Sequence, residues 1–194
     1  LAFAVEGARV IVTDLSSERA DETAHFITSA GGSAEAYALD VGDAAAVGVV
    51  ADNLIASFGS VDVIYNNAGI GLGGPTLEAT PEEWERLINI NFWGVVHGIR
   101  AFAPHMLARG SGHIVSTASS AGVVPVPGLA AYSATKHAVL ALGQSLRAEY
   151  RSKNVGVSTI CPGLIKTNIA RDGIMYDTPT TSQEQTVGLM DRWG

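Results

Sequence analysis

Short apolar runs recur along this chain, each followed by a stretch with helical spacing, and this alternation limits its fold more than any other feature. Ala8 to Asp14 (ARVIVTD) is unbroken apolar sequence closing on an acid, the mark of a parallel strand covered on both faces with Asp14 at its carboxyl end. Ser16-Ser17 can cap a following helix and Gly31-Gly32 can stop it. Ala34 to Leu39, Val61 to Tyr65, His113 to Val115 and Val155 to Cys161 read as further strands, separated by helical stretches. One of these helices is expected over Ala44 to Phe58, capped by Asp40; another opens at Thr80-Pro81-Glu82-Glu83, a capping box with proline at the first helical position, and continues through Trp84, Leu87, Ile88 and Val95. Strands alternating with helices predict an α/β domain built on a doubly wound, mostly parallel sheet, with ligands at the carboxyl ends of its strands. In such a sheet the first strand and its glycine loop lie in the middle. Leu1 to Gly7 reads as the last turns of a helix closed by glycine, so this chain is expected to begin after both and to leave a gap at the sheet centre.

The totals exclude several classes of partner. A net charge of −7 without a basic stripe argues against nucleic acid or an anionic membrane, and no apolar run approaches the ~18 residues of a membrane span. Cys161 is the single cysteine and has no disulfide partner within the chain, which suits a reducing, cytoplasmic setting; before Pro162 it reads as a small buried apolar residue. His25, His97, His105, His113 and His137 show no metal-ligand spacing, so no metal is expected.

The chemistry concentrates between Gly112 and Lys136. If Tyr132 opens a helix, Lys136 follows one turn later on the same face, and the phenol and the ammonium point at one site. A cation beside a phenol favours the phenolate, so Lys136 is expected to bring the pKa of Tyr132 down toward neutrality. Ser119, at the end of the His113–Val115 strand, can hold a carbonyl oxygen at the same point. A lone Tyr-x-x-x-Lys also arises by chance on half-exposed helix faces, so the pair needs company. It has it in Asn66-Asn67-Ala68-Gly69 after an apolar strand, Asn91 in Asn-x-x-Gly, Pro162-Gly163 followed by Thr167, and Asp40-Val41, all in consistent order.

Together these motifs resemble the short-chain dehydrogenase/reductase family, over nearly the whole chain except its last twenty or so residues. The resemblance implies a single nicotinamide-dinucleotide-binding domain of Rossmann type over residues 1–194, with 168–194 as a polar, mobile substrate lid. It also implies roles. Asp14 would accept hydrogen bonds from the adenosine ribose and repel a 2′-phosphate, favouring NAD over NADP, although an acid there also suits the start of the next helix. Asp40 and Val41 would meet the adenine, Asn67, Ala68 and Gly69 would pass the ribose, and Pro162, Gly163, Ile165 and Thr167 would hold the nicotinamide carboxamide. Asn91 would bend its helix and hold a water in a proton relay; read plainly, it is a helix asparagine with its hydrogen bonds satisfied. Gly69-Ile-Gly71-Leu-Gly73-Gly74 satisfies G-x-G-x-x-G, but no helix opens on its last glycine, so it reads as a flexible loop near the substrate rather than a phosphate cradle. The expected activity is hydride transfer between a secondary alcohol or its ketone and the cofactor, by a homodimer or homotetramer paired through the Trp84 helix and the helix after Tyr132. The alternatives are a cofactor-binding regulatory protein that has lost its chemistry, or an inactive truncated form.

Overall fold

Each apolar run forms a parallel strand. The computed structural model describes residues 1–177, 182, 184, 185, 187, 188 and 191. Strands β1 (Arg9–Asp14) and β2 (Ser33–Ala38) pair with Asp14 opposite Ala38, and a second sheet runs in the order β3 (Val63–Asn66), β5 (Gly112–Thr117), β6 (Val155–Ile160). β4 (Leu72–Gly73) and β7 (Ile174–Met175) make a separate two-residue parallel ladder. β5 is paired on both edges and its Ile114, Val115 and Ser116 are buried, which explains its continuous apolar reading.

No ladder joins β1 to β3 among the described residues, so the parallel strands fall into two separate ladders. Val63 and Tyr65 on β3 are correspondingly half-exposed. The ring of Phe3, from the short helix α1 (Ala2–Val5), packs edge-on against Tyr65 with centroids 6.5 Å apart.

Helix α2 (Ser17–Ser29) covers β1 and β2 through Ala20, Ala24 and Ile27, and starts at Ser16, whose hydroxyl accepts from the Arg19 amide. Helix α3 (Ala44–Phe58) is capped by Asp43 rather than by Asp40: the Asp43 carboxylate takes the amides of Ala45 and Ala46 at 2.9 and 3.0 Å. Asp40 instead closes the preceding turn on the Gly42 amide at 2.8 Å, because a cap has to stand directly before the first helical residue. The capping box at Thr80 and Glu83 forms as expected and begins α4 (Pro81–Ile88). One turn of π-helix at Asn89–Trp93 joins α4 to α5 (Gly94–Arg109). The main core unites α3, α5, β5, β6 and α6 (Ala130–Tyr150) through residues such as Leu54, Phe102, Met106, Ile114, Val139 and Val157, with Cys161 packed at its margin. No helix among the described residues is long and apolar enough to cross a membrane.

Gly69–Gly74 is not the open loop expected from its glycines. Leu72 is buried, β4 pairs with β7, and Cβ atoms added at Gly71 or Gly73 would approach Met175 to 2.7–2.8 Å. The glycines are there to let the strap around Ile174–Tyr176 lie flat against this stretch. Of the expected lid, residues 168–170 form a 3-10 turn and Ile174–Met175 form β7; its segments at 178–181, 183, 186, 189, 190 and 192–194 lie outside the described residues.

Gly122 is where the loop after β5 meets α6. A Cβ there would stand 2.6 Å from the Lys136 carbonyl oxygen, backbone against backbone. Gly122→Ala should therefore lower stability by about 1–3 kcal/mol in chemical denaturation, despite alanine's better conformational propensity. An unchanged midpoint would mean that the loop and helix do not touch.

Candidate active site

Parallel register brings the ends of distant strands to one edge. Asp14 ends β1, Asp40 lies just past β2, Asn66 ends β3 opposite Ser116, and Thr117 ends β5 opposite Ile160. Side chains then tie these ends together: the Thr117 hydroxyl donates to Asn67 Oδ1 at 3.0 Å, and the Asn66 amide donates to the Ser116 hydroxyl at 3.4 Å. The Ser120 amide donates to the Pro162 carbonyl at 2.7 Å, which sets the Pro162-Gly163 segment beside the loop that carries Ser119.

Ser119 caps a 3-10 turn, Ser120–Gly122, in extended conformation, its hydroxyl accepting from the Ala121 amide at 3.1 Å. That hydroxyl also acts on the Tyr132 phenol, favouring its ionised form. Tyr132 stands in the first turn of α6 and packs with Leu72, Leu87, Ala131, Trp84 and Tyr176 in a second apolar cluster. One turn on, Lys136 is 2% exposed; its Nζ lies 5.7 Å from the centre of the Tyr132 ring and donates to the Thr117 carbonyl at 2.9 Å. Ser119, Tyr132 and Lys136 therefore converge.

Asn91 reaches the same place from the π-helical turn. Widening the helix by one residue turns this fully buried amide toward the loop after β3: Oδ1 accepts from the Ile70 amide at 2.8 Å, and Nδ2 donates to the Ile70 carbonyl at 2.9 Å and to the Thr135 hydroxyl at 3.3 Å. Both donor hydrogens of the amide are thus spent within the protein, on loop backbone and on α6. A Cβ on Gly69 would stand 3.2 Å from Asn91 Oδ1 and 3.4 Å from Lys136 Nζ, so only glycine lets that backbone pass between them freely.

Burial governs the site's electrostatics. The Tyr132 phenol is pushed above its ordinary pKa by desolvation, and the Ser119 hydroxyl offsets this only in part. Lys136 is not among the groups that shift the phenol, so the expected depression is absent; burial brings its own ammonium down to about 8, and it donates to the Thr117 carbonyl.

The adenosine-side residues are arranged otherwise. Asp14 Oδ1 accepts from the Ser16 amide at 2.9 Å and faces Arg19 Nε at 3.3 Å, while Arg19 Nη1 reaches Asp172 Oδ2 at 2.8 Å. The Val41 carbonyl accepts from His97 Nδ1 at 2.9 Å, fastening the Asp40-Val41 turn to α5. Ile165 is half-exposed, and the Thr167 hydroxyl accepts from the Ile169 amide at 3.4 Å. Arg19, Thr117, Thr135 and Asp172 have no motif that sequence reading could find; each matters through a partner from 5 to 153 residues away. Among the described residues no three His, Cys, Asp or Glu side chains converge as a metal site would require.

The donor set fits a dinucleotide: a carboxylate at the end of β1, glycine backbone at the end of β3 that a side chain would obstruct, and a buried amine beyond it. Residues 1–174 match the family model for short chain dehydrogenase. The chain is 42% identical over 190 residues to a probable oxidoreductase, EphD, of Mycobacterium tuberculosis, covering 97% of this chain and 32% of that protein. It thus spans about a third of that relative. A short chain dehydrogenase/reductase from Burkholderia phymatum, solved in complex with NAD, superimposes with a TM-score of 0.87 at 33% identity over 97% of this chain and 71% of the other. A metagenomic short-chain oxidoreductase solved with NADP gives 0.79 at 38% identity, over 85% of this chain and 75% of the other.

A Lys136→Met variant tests the burial. Between pH 8 and 10.5 the folded chain has released the Lys136 proton while the unfolded chain keeps it, so stability of the parent should rise with pH across that window. The variant has no such proton. Its unfolding free energy relative to the parent should fall by up to roughly 3 kcal/mol from pH 8 to pH 10.5, measured by denaturation at several pH values. Parallel pH profiles for the two would mean that the amine is solvated in solution.

Proposed function

This chain belongs to the short chain dehydrogenase family, and from that premise we propose an oxidoreductase that moves a hydride between a nicotinamide cofactor and a secondary alcohol or its ketone. The observation that carries the reading is the convergence of the Tyr132 phenol, the Ser119 hydroxyl and the buried Lys136 amine at the carboxyl edge of β5 and β6. In this reading the Ser119 hydroxyl donates to the substrate oxygen and orients it. Tyr132 takes the hydroxyl proton during oxidation and returns it during reduction. Lys136 shares its positive charge with the phenolate and with the ribose hydroxyls beside it, a contact that would redirect the amine from the Thr117 carbonyl. Asn91 holds the loop at Ile70 against α6 and keeps the amine's path to solvent open through a water. A bound nicotinamide supplies the hydride acceptor or donor.

Asp14 supports NAD as the preferred cofactor, with Asp40 and Val41 at the adenine, Asn67, Ala68 and Gly69 along the ribose, and Pro162, Gly163, Ile165 and Thr167 at the carboxamide. Residues 168–194 act as the substrate lid, within a single domain over 1–194. The reading extends to a homo-oligomer through the helix that carries Trp84 (α4, continuing into α5) and α6, and to a reducing, cytoplasmic setting consistent with one free cysteine.

Tyr132→Phe should leave NADH affinity, followed by fluorescence titration, within about twofold, while turnover on a panel of secondary alcohols and ketones falls by at least about a hundredfold. Retention of most activity would remove Tyr132 from the chemistry.

A further inference from the structure

Arg19 sits between two acids that belong to different parts of the molecule. Asp14 lies at the end of β1; Asp172 lies 153 residues further on than Arg19, in the turn that leads into the β7 strap. The guanidinium takes both, at 3.3 and 2.8 Å, and its own pKa is raised first by the bond to Asp172 and then by Asp14. Glu18, in the same turn, accepts from the Ser16 hydroxyl at 2.6 Å, while the guanidinium itself is shared by two carboxylates, Asp14 and Asp172. Asp172 does not depend on Arg19 for its position. Its amide donates to the Asn168 carbonyl at 2.8 Å, and two residues later the strap pairs with Gly71–Gly73, then ends in the Tyr176 hydroxyl donating to Glu83 at 2.6 Å.

A nucleotide whose 2′ and 3′ hydroxyls donate to Asp14 asks nothing of Arg19. A 2′-phosphate does: it brings dianionic charge to the cluster and is tolerable only if the guanidinium turns to it. In this chain the guanidinium fork is already engaged by Asp172. We propose that Asp172, a residue of the strap, is a specificity-determining residue that discriminates against 2′-phosphorylated nucleotides by holding Arg19 in an ion pair which such a nucleotide has to break. This inference rests on the reading of Asp14 as the adenosine-ribose acceptor. It places part of the cofactor discrimination outside β1 and α2, and it implies that a 2′-phosphate, once bound, releases the strap from α2.

Arg19 and Asp172 are both about half exposed, so the pair is worth little and the effect is modest. Titration calorimetry with 5′-AMP and with adenosine 2′,5′-bisphosphate separates the possibilities without catalysis. Asp172→Asn should tighten the bisphosphate by about two- to fivefold, leave 5′-AMP unchanged, and lose the gain in high salt. Adding Arg19→Gln to that variant should abolish the gain. In the parent protein, hydrogen exchange of the amides at 168–176 should quicken with the bisphosphate and not with 5′-AMP. If Asp172→Asn moves both ligands equally, or neither, the Arg19–Asp172 pair only fastens the strap and the inference falls while the adenosine site stands. If the parent binds neither ligand, the adenosine reading of Asp14 falls, and this inference with it.

Discussion

Everything at the candidate site is arranged around a single desolvated amine. Lys136 is 2% exposed, deep enough that its pKa falls to about 8, and an ammonium in such a place is costly unless something accepts its protons. The Thr117 carbonyl does so, and it is available because β5 ends at that residue and leaves its last carbonyl outside the ladder. Strand end, helix face and amine are consequently one unit. Moving any of them strands a charge or a carbonyl, which explains why the loop between them, from Ser119 to Gly122, is packed backbone to backbone on α6.

The π-helical turn solves a related problem on the other side. A polar amide inside a long amphipathic helix would normally face either water or an apolar neighbour. The extra residue at Asn89–Trp93 lets Asn91 satisfy the amide and the carbonyl of Ile70, two backbone groups in a loop that has no ladder of its own at that point. The loop after β3 is thereby held to α5 and, through Thr135, to α6. Tyr132, Lys136 and Gly69 keep their relation because a buried amide, rather than a sheet, spans the gap between them.

The divided sheet has the opposite character. β1 and β2 form one ladder, β3, β5 and β6 another, and Tyr65 and Val63 remain half-exposed along the division. The two ladders still present their carboxyl ends together, so Asp14 and Asp40 belong to one part of the molecule and Ser119, Tyr132 and Lys136 to the other. The strap residue Asp172 reaches across from the second to the first.

Features that depend on neighbours in the chain were legible in the sequence. Tyr132 and Lys136 share a helix face because of their spacing, Thr80 and Glu83 form a capping box because three residues separate them, and the apolar runs become parallel strands because their composition suits burial on both faces. Even local reading slipped by three residues at Asp40, whose neighbour Asp43 is the helix cap, since both acids precede the same helix and only backbone geometry chooses. What the fold alone decided concerns energies and partners set by distance through space. Desolvation, not the adjacent cation, controls the phenol of Tyr132; glycines that looked like a flexible loop admit a strap from a hundred residues away; Arg19 acquires Asp172. Periodicity and capping act over one or two turns of chain and are written in residue order, whereas burial and ion pairing arise only when separate segments exclude water from one another.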